Sequence, residues 1–382
     1  MNIWVIGRSY PTKQNKMRGS FELEQAKLLE KHGHNVSYIA AVFHPINKIK
    51  KWGYATFSDG NIQVYVESVF FAPERMHLHI SVIQKIIWKK LLSTVQREQG
   101  VPDIIHVHYP GMVSVPEVVC DYKKVGTKIV ITDHWSKTML NTMDNYQKKQ
   151  LISFVNCADA VLCVGRPLKN AILKLTGTEK EIRIVPNVVS PLFQEKCKMK
   201  ENEFDFIVVG RLSPIKQIDK IVLAFAKVFS QTPNVYLTIV GDGTEKSKII
   251  KIINDYAIQP QVRLTGTLSR EDTAEEVLKA DALVCYSQWE TFGVPIIEAW
   301  ACGKPVILSE NVGAAEYWNE RLGYIVQHDN LDTLQQAMKD LYDNRKEYDH
   351  SYISKYAENH FGEEAVYKEL QIVYENLVKV RE

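Results

Sequence analysis

Ala282-Leu283-Val284-Cys285, then Gln288-Trp289-Glu290-Thr291-Phe292-Gly293-Val294-Pro295-Ile296-Ile297-Glu298-Ala299-Trp300-Ala301-Cys302-Gly303-Lys304, then Pro305-Val306-Ile307-Leu308, carries the architecture of the chain in miniature. The first apolar run reads as a buried strand. Gly293 turns the chain, and Pro295 suits the first turn of a helix, where its missing N–H would have found no acceptor. Gly303 is a helix stop, and a second apolar run follows it. Strand, loop, helix and strand in so short a span make one βαβ unit of a parallel sheet.

Outward from that unit the same rhythm repeats. Phe204-Asp205-Phe206-Ile207-Val208-Val209-Gly210, Val235-Tyr236-Leu237-Thr238-Ile239-Val240 and Val262-Arg263-Leu264 precede it, separated mostly by helical periodicity. In the first half, apolar runs fall near residues 2–7, 35–41, 103–107, 128–132, 159–164 and 182–185. Between the halves, Gln194 to Glu203 is charged and poor in large apolar residues, as a linker is. We therefore expect an α/β protein of two Rossmann-like domains, residues 1–195 and 196–361. A closing helix over 362–382 carries Val366, Leu370, Ile372, Val373 and Leu377 at three- and four-residue spacing. The 382 residues, 45% apolar and 24% charged, suffice for two cores of that size.

Composition narrows the function classes. A net charge of +2 lacks the basic excess of a nucleic-acid binder, so any phosphate chemistry is local. The six cysteines form no C-x-x-C pair and no zinc spacing, and reduced, buried thiols are expected, as in a cytosolic protein. Met1 to Gly7 reads as a strand rather than a signal peptide, and no apolar run reaches the length of a membrane span. The expectation is a cytoplasmic protein.

Open α/β sheets take ligands beyond the carboxyl ends of their strands, so the residues just after each run are the candidates. Arg211 and Lys216 follow one strand and precede a helix, where a fork and a point charge could hold a pyrophosphate; a solvated basic loop reads equally well. Gly241, in Val240-Gly241-Asp242-Gly243, allows either a close ligand or a plain turn. Glu290 and Glu298, with seven intervening residues, could both face one ligand, since side chains lean toward a helix's N-terminus; a solvated pair is the alternative. A carboxylate suits sugar or ribose diols, and the N–H groups of Phe292, Gly293 and Val294 suit phosphate. No Asp-x-Asp motif or His/Asp cluster marks a metal site.

Taken together these places resemble the donor-binding half of the retaining glycosyltransferases of family 4, which have the GT-B fold, two Rossmann-like domains facing across a cleft with the C-terminal helix returning to the first. The most specific part is Glu290-Thr291-Phe292-Gly293 through Glu298 to Ile307. The resemblance implies a nucleoside-diphosphate sugar donor of UDP or GDP type, with no cofactor and no metal. It places Arg211 and Lys216 on the pyrophosphate, Glu290 on the transferred sugar, Glu298 on the ribose, and Gly241 with Thr291 to Val294 around the donor. In the first half, Gly19-Ser20-Phe21-Glu22 to Gly33-His34 is similar to a subgroup in which a single glycine lines the cleft, here Gly19. Ile131-Thr132-Asp133-His134 is similar to the segment whose histidine lies near the reacting sugar, here His134. Gln217, Thr291 and Asn187-Val188 depart from the family's common glycines, which bears on donor choice.

The acceptor implied is a glycan or lipid-linked glycan of bacterial-type surface polysaccharide. Met76 to Leu92, with Lys48, Lys50 and Lys51, mixes bulky apolar and basic side chains. It reads either as an ordinary helix or as a face resting on anionic lipid at the inner surface of the cell membrane. Other classes stay in view. A non-catalytic sugar-nucleotide-binding subunit would bind without transfer, a glycoside hydrolase would use Glu290 and Glu298 across a bond, and a nicotinamide enzyme would need the Gly-x-Gly-x-x-Gly that Gly7 and Gly241 do not complete.

Overall fold

A computed structural model describes residues 1–12, 18–45, 53–71, 77–113, 115–194 and 202–379. The chain forms two compact units, Met1–Val188 with Val366–Glu382, and Val189–Ala365. The expected boundary at 195/196 lies outside the described residues.

The first unit holds an eight-stranded sheet of β1 (Asn2–Gly7), β2 (Asn35–Pro45), β3 (Gly53–Asp59), β4 (Ile62–Phe71), β5 (Ile104–His108), β6 (Lys128–Asp133), β7 (Ala160–Cys163) and β8 (Ile182–Ile184). Their order is β3-β4-β2-β1-β5-β6-β7-β8, parallel except for the β3–β4 hairpin. Six of these strands are the apolar runs of the sequence. The hairpin is not among those runs: β3 is an edge strand exposed along nearly all its length, whereas β4, which buries Ile62, Val64 and Tyr65, is a run that the sequence reading passed over.

The helix Glu363–Val378 belongs to this unit. Val366, Leu370, Val373 and Tyr374 join Ile3, Val5, Val36 and Ile104 in one core, and Tyr374 Oη lies 2.6 Å from His106 Nδ1. Ile372, expected on the buried face, is 43% exposed, and Tyr374 takes that place.

The second unit holds β9 (Phe204–Val209), β10 (Val235–Val240), β11 (Val262–Gly266), β12 (Ala282–Cys285), β13 (Val306–Ser309) and β14 (Gly323–Val326), in the order β11-β10-β9-β12-β13-β14. All are parallel, and five of the six are the predicted runs; β14 is a short edge strand beyond them. The helices Ile218–Phe229 and Leu331–Asp343 cover one face with Ile221, Val222, Phe225, Leu334 and Met338. This doubly wound arrangement follows from strands apolar on both faces alternating with one-sided helices.

One expectation about cysteine is corrected. Cys120 and Cys157 form a disulfide, while Cys163, Cys285 and Cys302 are buried and not disulfide-bonded; Cys197 lies outside the described residues. The bonded pair ends two helices, Pro116–Cys120 and Asn145–Cys157, that pack on each other with Cα atoms 6.2 Å apart. Their separation of 37 residues carries no spacing signature, so only the fold brings them together.

Candidate functional site

In the second unit the strand order reverses between β9 and β12, which opens the crevice that doubly wound sheets use for ligands. Three loops meet there. Leu212 N–H donates to Asp242 O at 3.0 Å, Glu245 N–H to Leu212 O at 3.0 Å, and Gln288 N–H to Ile215 O at 2.8 Å. The approach requires Gly241, which has φ 144° and where a Cβ would stand 1.9 Å from the Gly210 carbonyl oxygen. The structure thus gives Gly241 a reason of its own, the apposition of two backbone segments.

Lys216 ends the 3-10 turn Pro214–Lys216, and Gln217 follows with φ 48°, a left-handed backbone that explains why glycine is frequent at this place. From that turn Lys216 Nζ reaches Glu290 Oε1 at 2.7 Å. The same oxygen accepts from Ser287 Oγ at 2.7 Å and from Cys285 Sγ at 3.3 Å. Burial pushes the Glu290 carboxyl up, but Lys216 beside it outweighs that and holds it below the usual carboxylate range. Burial would lower the Lys216 ammonium, and Glu290 instead keeps it above its ordinary value. The two side chains are largely buried and pair with each other, which sets aside the solvated-loop reading for Lys216 and the solvated-glutamate reading for Glu290. Arg211 is exposed on the same loop.

Glu298 sits one turn inside the helix Val294–Ala301, 2% exposed, and Arg270 Nη1 approaches its Oε1 to 2.5 Å. Arg270 opens the helix Arg270–Lys279 and lies over the Phe193 ring, 5.1 Å from its centroid. Each of the two glutamates thus holds a cation of its own. Ahead of Glu298, Gly293 caps the helix at φ 101°. Among the described residues the N–H groups of Phe292, Gly293 and Val294 have no protein acceptor, so they remain open to phosphate. Thr291 and Phe292 are fixed from the far side, where Ala314 N–H donates to Phe292 O at 2.7 Å and a Cβ on Gly313 would stand 2.3 Å from Thr291 O.

The other two predicted residues lie in the first unit. Gly19, at φ 89°, caps the helix Ser20–Lys31, and a Cβ there would stand 2.0 Å from Ser9 O. His134, directly after β6, stacks between Tyr109 and His108, with ring centroids 4.9 and 5.2 Å away, and its Nε2 is 2.9 Å from His108 Nδ1. Burial, reinforced by the charge of Arg8, pushes His134 down to about 3, so the ring is neutral at physiological pH. His106 is structural, placed between Tyr374 Oη at 2.6 Å and Thr132 Oγ1 at 2.7 Å.

Sequence reasoning missed Arg270, Cys285, Ser287 and the group around Arg8. Cys285 and Ser287 were within reach, since a carboxylate after a buried strand needs donors and both are its near neighbours. Arg270 had no local signal. Among the described residues no cluster of His, Cys, Asp and Glu could hold a metal ion, and no helix is long and apolar enough to cross a membrane.

Residues 190–360 match the family model for glycosyl transferases group 1, and residues 22–191 the model for glycosyltransferase family 4. The chain belongs to glycosyltransferase family 4. This family 4 chain is 26% identical over 298 residues to N-acetyl-α-D-glucosaminyl L-malate synthase of Bacillus anthracis, covering 74% of the chain and 73% of the synthase. It is 25% identical over 243 residues to the phosphatidylinositol N-acetylglucosaminyltransferase GPI3 subunit of Saccharomyces cerevisiae, covering 61% of the chain and 54% of the subunit, about half that relative's length. Among solved structures it matches sucrose-phosphate synthase of Thermosynechococcus elongatus at TM-score 0.76 and 18% identity, over 99% of each chain. It matches Anabaena HepE in complex with UDP-glucose at TM-score 0.69 and 17% identity, over 98% and 100%. The family 4 chain is thus a glycosyltransferase with the GT-B fold.

Proposed function

We propose that the chain transfers a hexose-type sugar from a nucleoside-diphosphate sugar, with UDP or GDP as the carrier, to a glycan or lipid-linked glycan, with retention at the anomeric carbon and without a metal ion. The observation that carries this reading is the Lys216–Glu290 pair at the strand-order reversal, with Arg211 and the open N–H groups of Phe292 to Val294 around it. Two relatives whose names include an N-acetylglucosaminyl group support a hexose-type donor.

In this mechanism the bond from the anomeric carbon to the diphosphate oxygen breaks as the acceptor oxygen bonds on the same face, and the acceptor's proton passes to a phosphate oxygen of the leaving group. Lys216, Arg211 and the helix N-terminus stabilise the departing charge, each donor contributing about 3 to 4 kcal/mol in the transition state of a water-excluded site. Glu290 anchors Lys216 and faces the sugar, and Glu298 takes the ribose hydroxyls, while His134 of the first unit is a neutral ring.

The charge states argue against a glycoside hydrolase. Such an enzyme needs one carboxyl kept protonated as an acid, whereas Lys216 holds Glu290 ionised and Arg270 pairs with Glu298. A non-catalytic subunit is separated by donor turnover.

The test is calorimetric titration with UDP, GDP and ADP in chelator, followed by donor turnover under the same conditions. One nucleotide is expected to bind tightly, and Arg211→Ala to weaken it by about 1.5 to 3 kcal/mol, the worth of a charged hydrogen bond. No nucleotide binding, or turnover abolished by chelator and restored by a divalent ion, would refute the reading.

The membrane reading gains support from the helix His77–Gln99. Val82, Ile83 and Ile86 are 56%, 49% and 63% exposed, with Lys89 and Lys90 exposed in the next turn. Met76, Lys48, Lys50 and Lys51 lie outside the described residues. A cytoplasmic chain resting on the inner membrane face is expected to float with anionic vesicles, and Ile86→Glu to reduce the floated fraction; equal recovery with neutral vesicles would count against it.

A further inference from the structure

Glu290 is held at every polar atom but one. Its backbone N–H donates to Asn311 O at 3.2 Å, and its carbonyl oxygen accepts from Gly313 N–H at 3.3 Å, which ties it to the loop after β13. Its Oε1 takes three donors, Lys216 Nζ and Ser287 Oγ at 2.7 Å and Cys285 Sγ at 3.3 Å. Among the described residues no protein group donates to Oε2, and with the side chain 13% exposed this oxygen keeps contact with solvent.

Lys216 accounts for the charge of Glu290 but not for the choice of oxygen. The last torsion of a glutamate is broad and nearly two-fold, so an ammonium beside it can be met by either oxygen. Ser287 removes that freedom. It is 1% exposed, two residues past β12, and its carbonyl oxygen accepts from Ser309 Oγ at 2.5 Å. Ser309 ends β13 and is fully buried, so the backbone that carries the Ser287 hydroxyl is tied to the neighbouring strand. The chain of contacts runs from Ser309 to Ser287 to Glu290, across two adjacent strands. Cys285 adds a longer contact on the same oxygen, and a thiol is the weaker donor.

We propose that Ser287 is a positioning residue that commits Oε1 of Glu290 to the protein and turns Oε2 to the hydroxyls of the donor sugar, with Ser309 holding Ser287 in place. The fixing of Glu290 follows from the second unit alone; the sugar at Oε2 rests on the transferase reading above.

The test separates the nucleoside diphosphate from the sugar. Binding of UDP and GDP is measured by calorimetry, and kcat/KM by release of UDP or GDP from UDP-N-acetylglucosamine, UDP-glucose and GDP-mannose. Ser287→Ala is expected to lower kcat/KM about tenfold or more while the diphosphate Kd stays within about twofold, because a donor to the carboxylate is lost and no phosphate ligand is. A merely structural role would weaken both. Ser287→Thr, which keeps the hydroxyl, is expected to recover much of the rate, and Cys285→Ala and Ser309→Ala to lose less than Ser287→Ala. A second readout is the acid limb of the kcat/KM profile. Ser287 donates to the ionised carboxylate and so helps to hold it low, and the titratable groups facing Glu290 among the described residues are Lys216 and Cys285. Ser287→Ala leaves both in place, so its acid limb is expected at higher pH. Wild-type kcat/KM in Ser287→Ala, or an equal loss of diphosphate binding, overturns the proposal. A wild-type chain that binds a diphosphate but releases it from none of the three donors overturns it too, by taking the sugar from Oε2. Failure of both diphosphates to bind would instead remove the transferase reading.

Discussion

Lys216→Ala is expected to lower kcat/KM by about a hundred- to a thousandfold, the usual effect of removing one preorganised donor from developing transition-state charge. Two losses combine in this variant. In the proposed mechanism the leaving diphosphate loses a cation that Glu290 holds in place at 2.7 Å, and Glu290, with a side chain only 13% exposed, loses the charge that keeps it ionised. Its three donors to Oε1 become two, Ser287 and Cys285, neither of them charged. Lys216→Arg should recover part of the rate, since charge is restored without the length and point geometry of the ammonium. Steady-state kinetics on the three proteins, with urea midpoints to show that each is folded, decides the matter. A folded Lys216→Ala enzyme with wild-type kcat/KM would remove Lys216 from the mechanism.

Arg270→Met should act first on stability. Glu298 is 2% exposed and Arg270 lies on its Oε1 at 2.5 Å with a side chain 17% exposed, so the variant strands a carboxylate in a nearly dry place. Removing one partner of such a pair costs about 3 to 5 kcal/mol, because the remaining charge is uncompensated. The second unit is expected to unfold at distinctly lower urea, and Arg270→Met with Glu298→Gln to recover much of the loss. If Glu298 is the ribose ligand, the single variant also loses the preference for a nucleoside diphosphate over its 2′-deoxy form. An unchanged urea midpoint would show that the pair contributes little and that water reaches Glu298.

The two predictions differ in how far the sequence led to them. Lys216 and Glu290 each stood out alone, one before a helix and one after a strand, because strand ends are where doubly wound sheets bind ligands. Their mutual contact did not, since residues 74 apart meet only through the β9–β12 adjacency. Arg270 carries no local signal, and Arg8 and Glu22 meet only because the helix after β1 folds back on the end of that strand. The Cys120–Cys157 bond follows the same rule, its two cysteines joined by helix packing rather than spacing.

The sequence by itself determined the elements: apolar runs that become parallel strands, glycine and proline at the ends of helices, and the Glu290 to Glu298 segment that marks the family. These are local, because backbone sterics, helix caps and side-chain periodicity act over a few residues. Only the tertiary structure decided which charge neutralises which: Lys216 with Glu290, Arg270 with Glu298, Arg8 with Glu22. The first two pairings depend on strand order and the third on how the helix after β1 returns to that strand's end, and a buried charge is tolerable only where the fold brings its partner to it.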